Sequence, residues 1–106
     1  MSPDTTWRPH PTHGKLTEAV AEKLPDSAFA FPKQRLLPLT DEGHVRAAIE
    51  GFGEVGDVTD EDRELAFKNI RRAAQFYNVP MTETDWRQLG TRHVEPGYKA
   101  VERDLR

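Results

Sequence analysis

Cysteine is missing from this sequence of 106 residues, and its absence excludes several kinds of chemistry at once. Disulfides, thiolate metal sites and cysteine nucleophiles all require the missing side chain. No apolar stretch approaches the roughly 20 residues that a membrane helix needs, and the first residues lack the basic start and apolar run of a signal peptide. We therefore expect a cytoplasmic protein with no membrane association.

An excess of positive charge is also missing. Lys and Arg total 15 against 18 Asp and Glu, so the net charge is -3 and a general attraction to nucleic acid is absent. A nucleic-acid function would need a local basic patch. The length leaves room for one domain, and an apolar content of 36% predicts a small core.

The composition divides the chain into three parts. Residues 1–15 hold three prolines and little that is apolar except Trp7, which predicts a flexible N-terminal tail. Residues 16–90 are predicted to form a single helical domain. Residues 91–106 predict a C-terminal extension that either frays or forms one short helix.

Helix starts are marked by threonines that an acidic residue follows, because Thr caps a helix N-terminus and an acid favours its first turn. The starts predicted in this way are Thr17, Thr40, Thr59 and Thr82. The helix from Thr59 to about Tyr77 has the broadest apolar face, including Phe76, which indicates the central element. The last helix is predicted to end near Gly90.

The segment from Asp26 to Leu39 reads DSAFAFPKQRLLPL and does not have a helical pattern. Its two prolines and the alternation of Phe29 and Phe31 around Ala30 predict extended backbone. The predicted fold is therefore mainly all-α, with three to four short helices and this extended, proline-containing segment packed across them.

Residues with catalytic or metal-binding chemistry are few. His10 and His13 form a His-x-x-His pair without a third ligand nearby, and Ser27 lacks both a nucleophile-elbow motif and an evident His partner. The glycines near residue 53 separate two helices and do not form a phosphate-binding loop. We expect no enzyme activity, no cofactor and no metal.

Basic residues form two clusters that admit two interpretations. If they share one side of the fold, they make a patch that can bind phosphate groups of nucleic acid. Alternatively they are a solvated face, since Glu64 lies four residues before Lys68 and bases late in a helix complement its dipole. The candidate nucleic-acid-binding residues are Lys33, Arg35, Lys68, Arg71 and Arg72.

His44 and Arg46 lie on opposite flanks of the second predicted helix. A His at such a boundary usually serves packing and a backbone hydrogen bond, although it can also line a site. Arg46 lies four residues before Glu50, which predicts a solvated ion pair on the helix surface.

Three short motifs carry a family resemblance: LPDSAFAFP at 24–32, LPLTD at 37–41 and HVR at 44–46. Over roughly 16–86 the chain resembles a family of small uncharacterised domains of actinobacteria and their phages, which carry an LPDSAF segment and a later His-x-Arg helix. Family members often have Asn where this chain has Ala47. The resemblance supplies no activity, but it implies that a set of residues acts as one unit, with the extended segment docked on the second helix: Asp26, Ser27, Phe29, Phe31, His44 and Arg46.

Besides an enzyme, which the sequence supports least and which would need a pocket near His44 and Asp26, three functions remain open at this point. The first is a non-catalytic interaction or adapter domain with a protein partner. The second is a nucleic-acid-binding module that uses the local basic patch. The third, implied by the resemblance alone, is a phage-derived structural or head-associated accessory protein. The sequence leaves the partner and the oligomeric state open.

Overall fold

Four helices and one pair of short strands make up the part of the chain that the computed structural model describes, residues 5–12 and 15–90. Two 3₁₀ turns, Asp26–Ala28 and Phe52–Glu54, precede β1 and follow α2. In chain order the elements are α1 (Glu18–Lys23), β1 (Phe29–Phe31), β2 (Leu36–Pro38), α2 (Glu42–Gly51), α3 (Asp60–Phe76) and α4 (Trp86–Gly90).

The two strands form an antiparallel hairpin, in which Phe29 lies opposite Pro38 and Phe31 opposite Leu36. The fold is therefore mixed α and β, and the prediction of a mainly all-α fold is wrong. The extended backbone was predicted, but the pairing was not, because the link between the strands lacks the Gly or Asn that usually marks a hairpin turn. Arg35 adopts the left-handed conformation there instead, at φ 56°.

Two of the four predicted helix starts are confirmed. The Thr17 hydroxyl accepts a hydrogen bond from the backbone N–H of Val20, and Thr59 forms a reciprocal capping box with Asp62. The start at Thr40 is wrong by one residue. Asp41 is the N-cap of α2, and its carboxylate accepts the backbone N–H of His44 at 2.8 Å.

The last predicted start, at Thr82, is also wrong, since α4 begins at Trp86. The residues before it are fixed by Gln88, whose side-chain oxygen accepts the backbone N–H groups of Thr84 at 2.6 Å and Asp85 at 2.9 Å. Gln88, a residue within α4, thus accepts hydrogen bonds from the backbone just before the helix. The sequence pattern had assigned this capping function to Thr82.

α3 occupies the centre of the fold and contacts β1, α2 and α4. Its inner face buries Ala66, Phe67, Ile70, Ala73 and Ala74. The Phe31 ring stacks on that of Phe52, with centroids 5.8 Å apart, so β1 and the turn after α2 share one core. Apolar burial in this core is the main favourable contribution to stability.

The segment at residues 5–12 is packed on the domain, in contrast to the flexible tail predicted there. Trp7 is 1% exposed, and its indole N–H donates to the carbonyl of Leu39 at 3.1 Å. The backbone N–H of Arg8 donates to the Ser27 carbonyl, and that of Thr12 to the Thr40 carbonyl. The burial of one large aromatic side chain thus offsets the entropy cost of ordering a segment whose composition is mostly polar.

A buried amide on α3 joins this segment to the sheet. The Asn69 Oδ1 atom accepts the backbone N–H groups of Thr6 at 2.9 Å and Trp7 at 3.0 Å. Its Nδ2 group donates to the carbonyl of Ala30 at 2.9 Å and to the Thr6 hydroxyl at 3.1 Å. Both donors and both acceptor positions of the amide are therefore used.

Replacing this amide removes partners from several buried backbone groups. We expect Asn69→Ala to lower the free energy of unfolding by about 2 to 4 kcal/mol, because Trp7 N–H and the Ala30 carbonyl lose their partners and a cavity forms. Gln75→Ala, at an exposed position of the same helix, is the matched control and should change stability by less than about 0.5 kcal/mol. Urea denaturation followed by circular dichroism measures both. Equal effects would contradict the assigned role of Asn69.

Candidate functional site

Arg35, one of the predicted nucleic-acid-binding residues, is committed to contacts within the fold. Its guanidinium lies 4.7 Å from the centre of the Phe29 ring and donates to the Asp26 carboxylate at 2.7 Å. It also donates to the carbonyls of Ala21 at 3.0 Å and Leu24 at 2.9 Å, at the C-terminal end of α1. A cation at this end complements the helix dipole, so Arg35 fixes α1 to the hairpin.

Lys33 lies in the same link, and its ammonium is 3.5 Å from the Asp62 carboxylate at the start of α3. Asp62 also accepts the Gln34 amide at 3.1 Å and the backbone N–H of Thr59 at 3.2 Å. The Thr59 hydrogen bond is the main reason that the pKa of Asp62 is lowered, and the contacts with Gln34 and Lys33 act in the same direction against the opposing effect of burial. Lys33 thus belongs to a capping cluster at the N-terminus of α3.

The six residues that the resemblance joined as one unit lie in two groups. Asp26 pairs with Arg35. The Ser27 hydroxyl lies 3.2 Å from Nε2 of His10, a His partner that was not evident in the sequence. Phe29 and Phe31 are buried in β1, which packs on α3. The second group, His44 and Arg46, lies on α2, which contacts β2. Within the described ranges no hydrogen bond connects Asp26 or Ser27 to the second group.

His44 forms a pair with the N-cap of its own helix. Its Nδ1 atom lies 2.7 Å from the Asp41 carboxylate, beside a depression of about 250 Å³ that Lys15, Gly43 and Ala47 also line. A carboxylate that orients an imidazole is one part of a general-base arrangement. Among the described residues that line this depression, none supplies a hydroxyl or a thiol for the base to activate.

Arg46 donates to Glu42 at 2.6 Å, one turn earlier, so the predicted pairing with Glu50 is wrong. Both side chains of the pair are more than half exposed, which makes its contribution to stability small. Arg46 therefore has the character of an ordinary surface residue of α2.

The remaining three basic candidates come together in what we call the α3 groove, between residues 5–9 and the outer face of the C-terminal half of α3. The groove consists of two adjoining depressions of about 310 and 340 Å³, which share Arg72 and Gln75. Thr5, Lys68 and Arg71 complete the first depression, and Trp7, Pro9 and Phe76 complete the second.

The cations of the groove have no carboxylate partner within residues 5–12 and 15–90. None of the ion pairs in these ranges involves Lys68, Arg71 or Arg72, although all three are exposed. Glu64 forms no ion pair with Lys68 there. The guanidinium of Arg71 lies 6.0 Å from the centre of the Phe67 ring. The groove thus concentrates positive charge in a chain whose net charge is -3.

Phe76 gives the groove an apolar end. The sequence placed this residue on the apolar face of the third helix, yet 53% of its surface is exposed. Its ring packs edge-on against Trp7, with centroids 5.7 Å apart, and against Tyr77 at 4.9 Å. Two aromatic neighbours therefore hold one side of the ring while the rest faces solvent. Sequence reasoning missed this end of the groove because Trp7 was assigned to a tail.

Metal ligands are not grouped in the described part of the chain: among its His, Cys, Asp and Glu residues, no set of three lies close enough to hold an ion. His10 contacts Ser27, and His13, the other residue of the His-x-x-His pair, lies outside the described residues. None of the helices within residues 5–12 and 15–90 has the length and apolar character needed to cross a membrane.

Comparison with protein families gives a match to most of the described chain. The model of a family of unknown function (DUF6582) matches residues 14–84, which include α1, the hairpin, α2 and α3. The chain belongs to this family. Searches against curated proteins and against solved structures gave no match. Membership of an uncharacterised family is thus confirmed, while the actinobacterial or phage origin and a phage structural role stay predictions.

The family match begins after Trp7 and ends before α4. It therefore includes Lys68, Arg71, Arg72 and Phe76, on one wall of the α3 groove. The opposite wall, formed by residues 5–9, lies outside the matched range.

The capping cluster at Asp62 predicts a pH dependence of stability. Because the folded state lowers the pKa of this carboxylate, its contribution is present above the unfolded value of about 4 and is lost as the pH falls through the folded value. We expect Asp62→Asn to be less stable than the parent chain by about 0.5 to 1 kcal/mol at pH 7. The stability difference between Asp62→Asn and the parent chain should shrink below pH of about 4, because the Asp62 carboxylate is then increasingly protonated.

Asp60→Asn is the matched control, since Asp60 is exposed and pairs with Arg63 three residues later. Urea denaturation of the parent and both variants between pH 7 and 2.5 provides the comparison. An Asp62→Asn difference that does not change with pH would show that the carboxylate charge is not what stabilises the cap.

Proposed function

We propose that this domain is a non-catalytic binding module that holds its partner in the α3 groove. The observation that supports the proposal is the combination found there: three cations without a carboxylate partner in the described ranges, next to the half-exposed ring of Phe76. Arg35 and Lys33, by contrast, are engaged in contacts that hold the fold together.

An exposed aromatic ring beside arginines is the composition that carries most of the binding energy in protein interfaces. Covering Phe76 would remove apolar surface from water, and its contacts with Trp7 and Tyr77 already restrict the ring. Binding would therefore cost little side-chain entropy at this point. The depression at His44 and Asp41 has no aromatic side chain among the described residues that line it.

A second candidate function is nucleic-acid binding, which the same three cations favour. Cations that lack carboxylate partners can neutralise phosphates, and an exposed ring can stack on a base. The basic patch for this function is smaller than the sequence indicated, because Lys33 and Arg35 are committed elsewhere.

Site-specific photo-cross-linking tests the proposed function. A photoreactive phenylalanine is placed at Gln75, which lines both depressions, or at Ala47, an exposed control position on α2. In cells that naturally produce the chain, we expect discrete cross-linked products from position 75 and not from position 47. The products should disappear when Lys68, Arg71 and Arg72 are all changed to Glu.

Circular dichroism establishes that the triple variant is folded. Products from both positions, or products from position 75 that persist in the triple variant, would contradict a binding function of the groove. The same holds for a complete absence of products.

A further inference from the structure

We propose that the α3 groove binds a short acidic segment of a partner protein, with one apolar side chain placed a few residues from the carboxylates. This inference rests on the proposed function and names the chemistry of the ligand. The two ends of the groove differ in chemistry, and their separation sets the length of the segment.

The cationic end of the groove contains Lys68 and Arg71, and Arg72 lies where the two depressions meet. The guanidinium groups of arginines match carboxylates with paired donors, which gives orientation as well as attraction. With no carboxylate bound to these three side chains in the described ranges, an acidic ligand would break no existing ion pair.

The aromatic end contains Phe76, backed by Trp7 and next to Pro9. Phe76 is also the last residue of α3, where the negative end of the helix dipole disfavours a second anionic group. An apolar ligand side chain is therefore the better match for this end.

The distance between the ends follows from helix geometry. Lys68 and Phe76 are eight residues apart on α3, and a rise of 1.5 Å per residue gives about 12 Å. An extended peptide covers about 12 Å in roughly four residues. Carboxylates and an apolar side chain three or four positions apart would thus reach both depressions together.

The acids that precede the cations on α3 favour a peptide over a nucleic acid. Toward the N-terminus of α3, the outer face continues through the exposed acids Glu64 and Glu61, one and two turns before Lys68. A phosphate backbone that extends past the cations in this direction would meet like charge. A short peptide ends before it reaches them, and its few carboxylates are repelled less by a chain of net charge -3.

Fluorescence anisotropy with defined probes tests this inference on the full chain. The probe is a fluorescein-labelled peptide of three aspartates, two glycines and one leucine, at low ionic strength where charge contacts are strongest. Two comparison peptides carry Gly in place of Leu or Asn in place of the aspartates. A ten-residue oligothymidylate with the same label represents single-stranded nucleic acid.

We expect the acidic leucine peptide to bind, and the Asn peptide to bind at least about tenfold more weakly, which corresponds to 1.4 kcal/mol. Arg71→Gln with Arg72→Gln should cause a similar loss for the acidic peptide, whereas Arg46→Gln, an exposed arginine on α2, should cause none. Phe76→Ala should lower the affinity for the leucine peptide several-fold and leave the affinity for the glycine peptide nearly unchanged, because Phe76 and the peptide leucine contact each other.

Tighter binding of oligothymidylate than of the acidic peptide, with the same dependence on Arg71 and Arg72, would overturn the acidic-peptide ligand and leave the binding function in place. Failure of the wild-type chain to bind the acidic leucine peptide at millimolar concentration would also overturn it. In both cases the cross-linking from position 75 decides the proposed function separately. Equal affinity for the leucine and glycine peptides would show that the groove does not bind an apolar side chain, and would contradict the proposed ligand.

Discussion

The side-chain amide of Asn69 makes four hydrogen bonds that hold three separate parts of the chain together. It belongs to α3, accepts from the backbone at Thr6 and Trp7, and donates to Ala30 in β1. A buried amide is costly unless every polar atom has a partner, and here each does. Asn69 fixes the backbone of the N-terminal segment at Thr6 and Trp7, and so helps to position one wall of the α3 groove.

The groove follows from this constraint, because Trp7 is held where its indole can support the exposed ring of Phe76. The basic wall lies within the range that matches the family, whereas the opposite wall lies in residues 5–9, before that range begins. The charge of the proposed site therefore lies on a part of the chain that matches the family. The apolar end of the groove combines Phe76, which lies within the matched range, with Trp7 and Pro9, which precede it.

Local features could be predicted from the sequence and contacts between distant residues could not. In the caps at Thr17 and Thr59 the Thr hydroxyl accepts from a backbone N–H three residues later, so the pattern is local and visible in the sequence. The hairpin was missed because its turn uses Arg35 at positive φ, and the burial of Trp7 was missed because its partner Asn69 lies 62 residues later. The basic residues were identified by type, but only the structure separates the groove cations from those that hold the fold together.

The most direct test of this account is the environment of Trp7 in solution. In nuclear magnetic resonance spectra of the full chain, we expect nuclear Overhauser effects from the Trp7 indole protons to the rings of Phe76 and Tyr77, whose centroids lie 5.7 and 6.1 Å from that of Trp7. We also expect slow hydrogen exchange of the Trp7 backbone amide, because its N–H donates a hydrogen bond to Oδ1 of Asn69. A Trp7 indole with random-coil shifts, no contact to α3 and a rapidly exchanging amide would contradict this account.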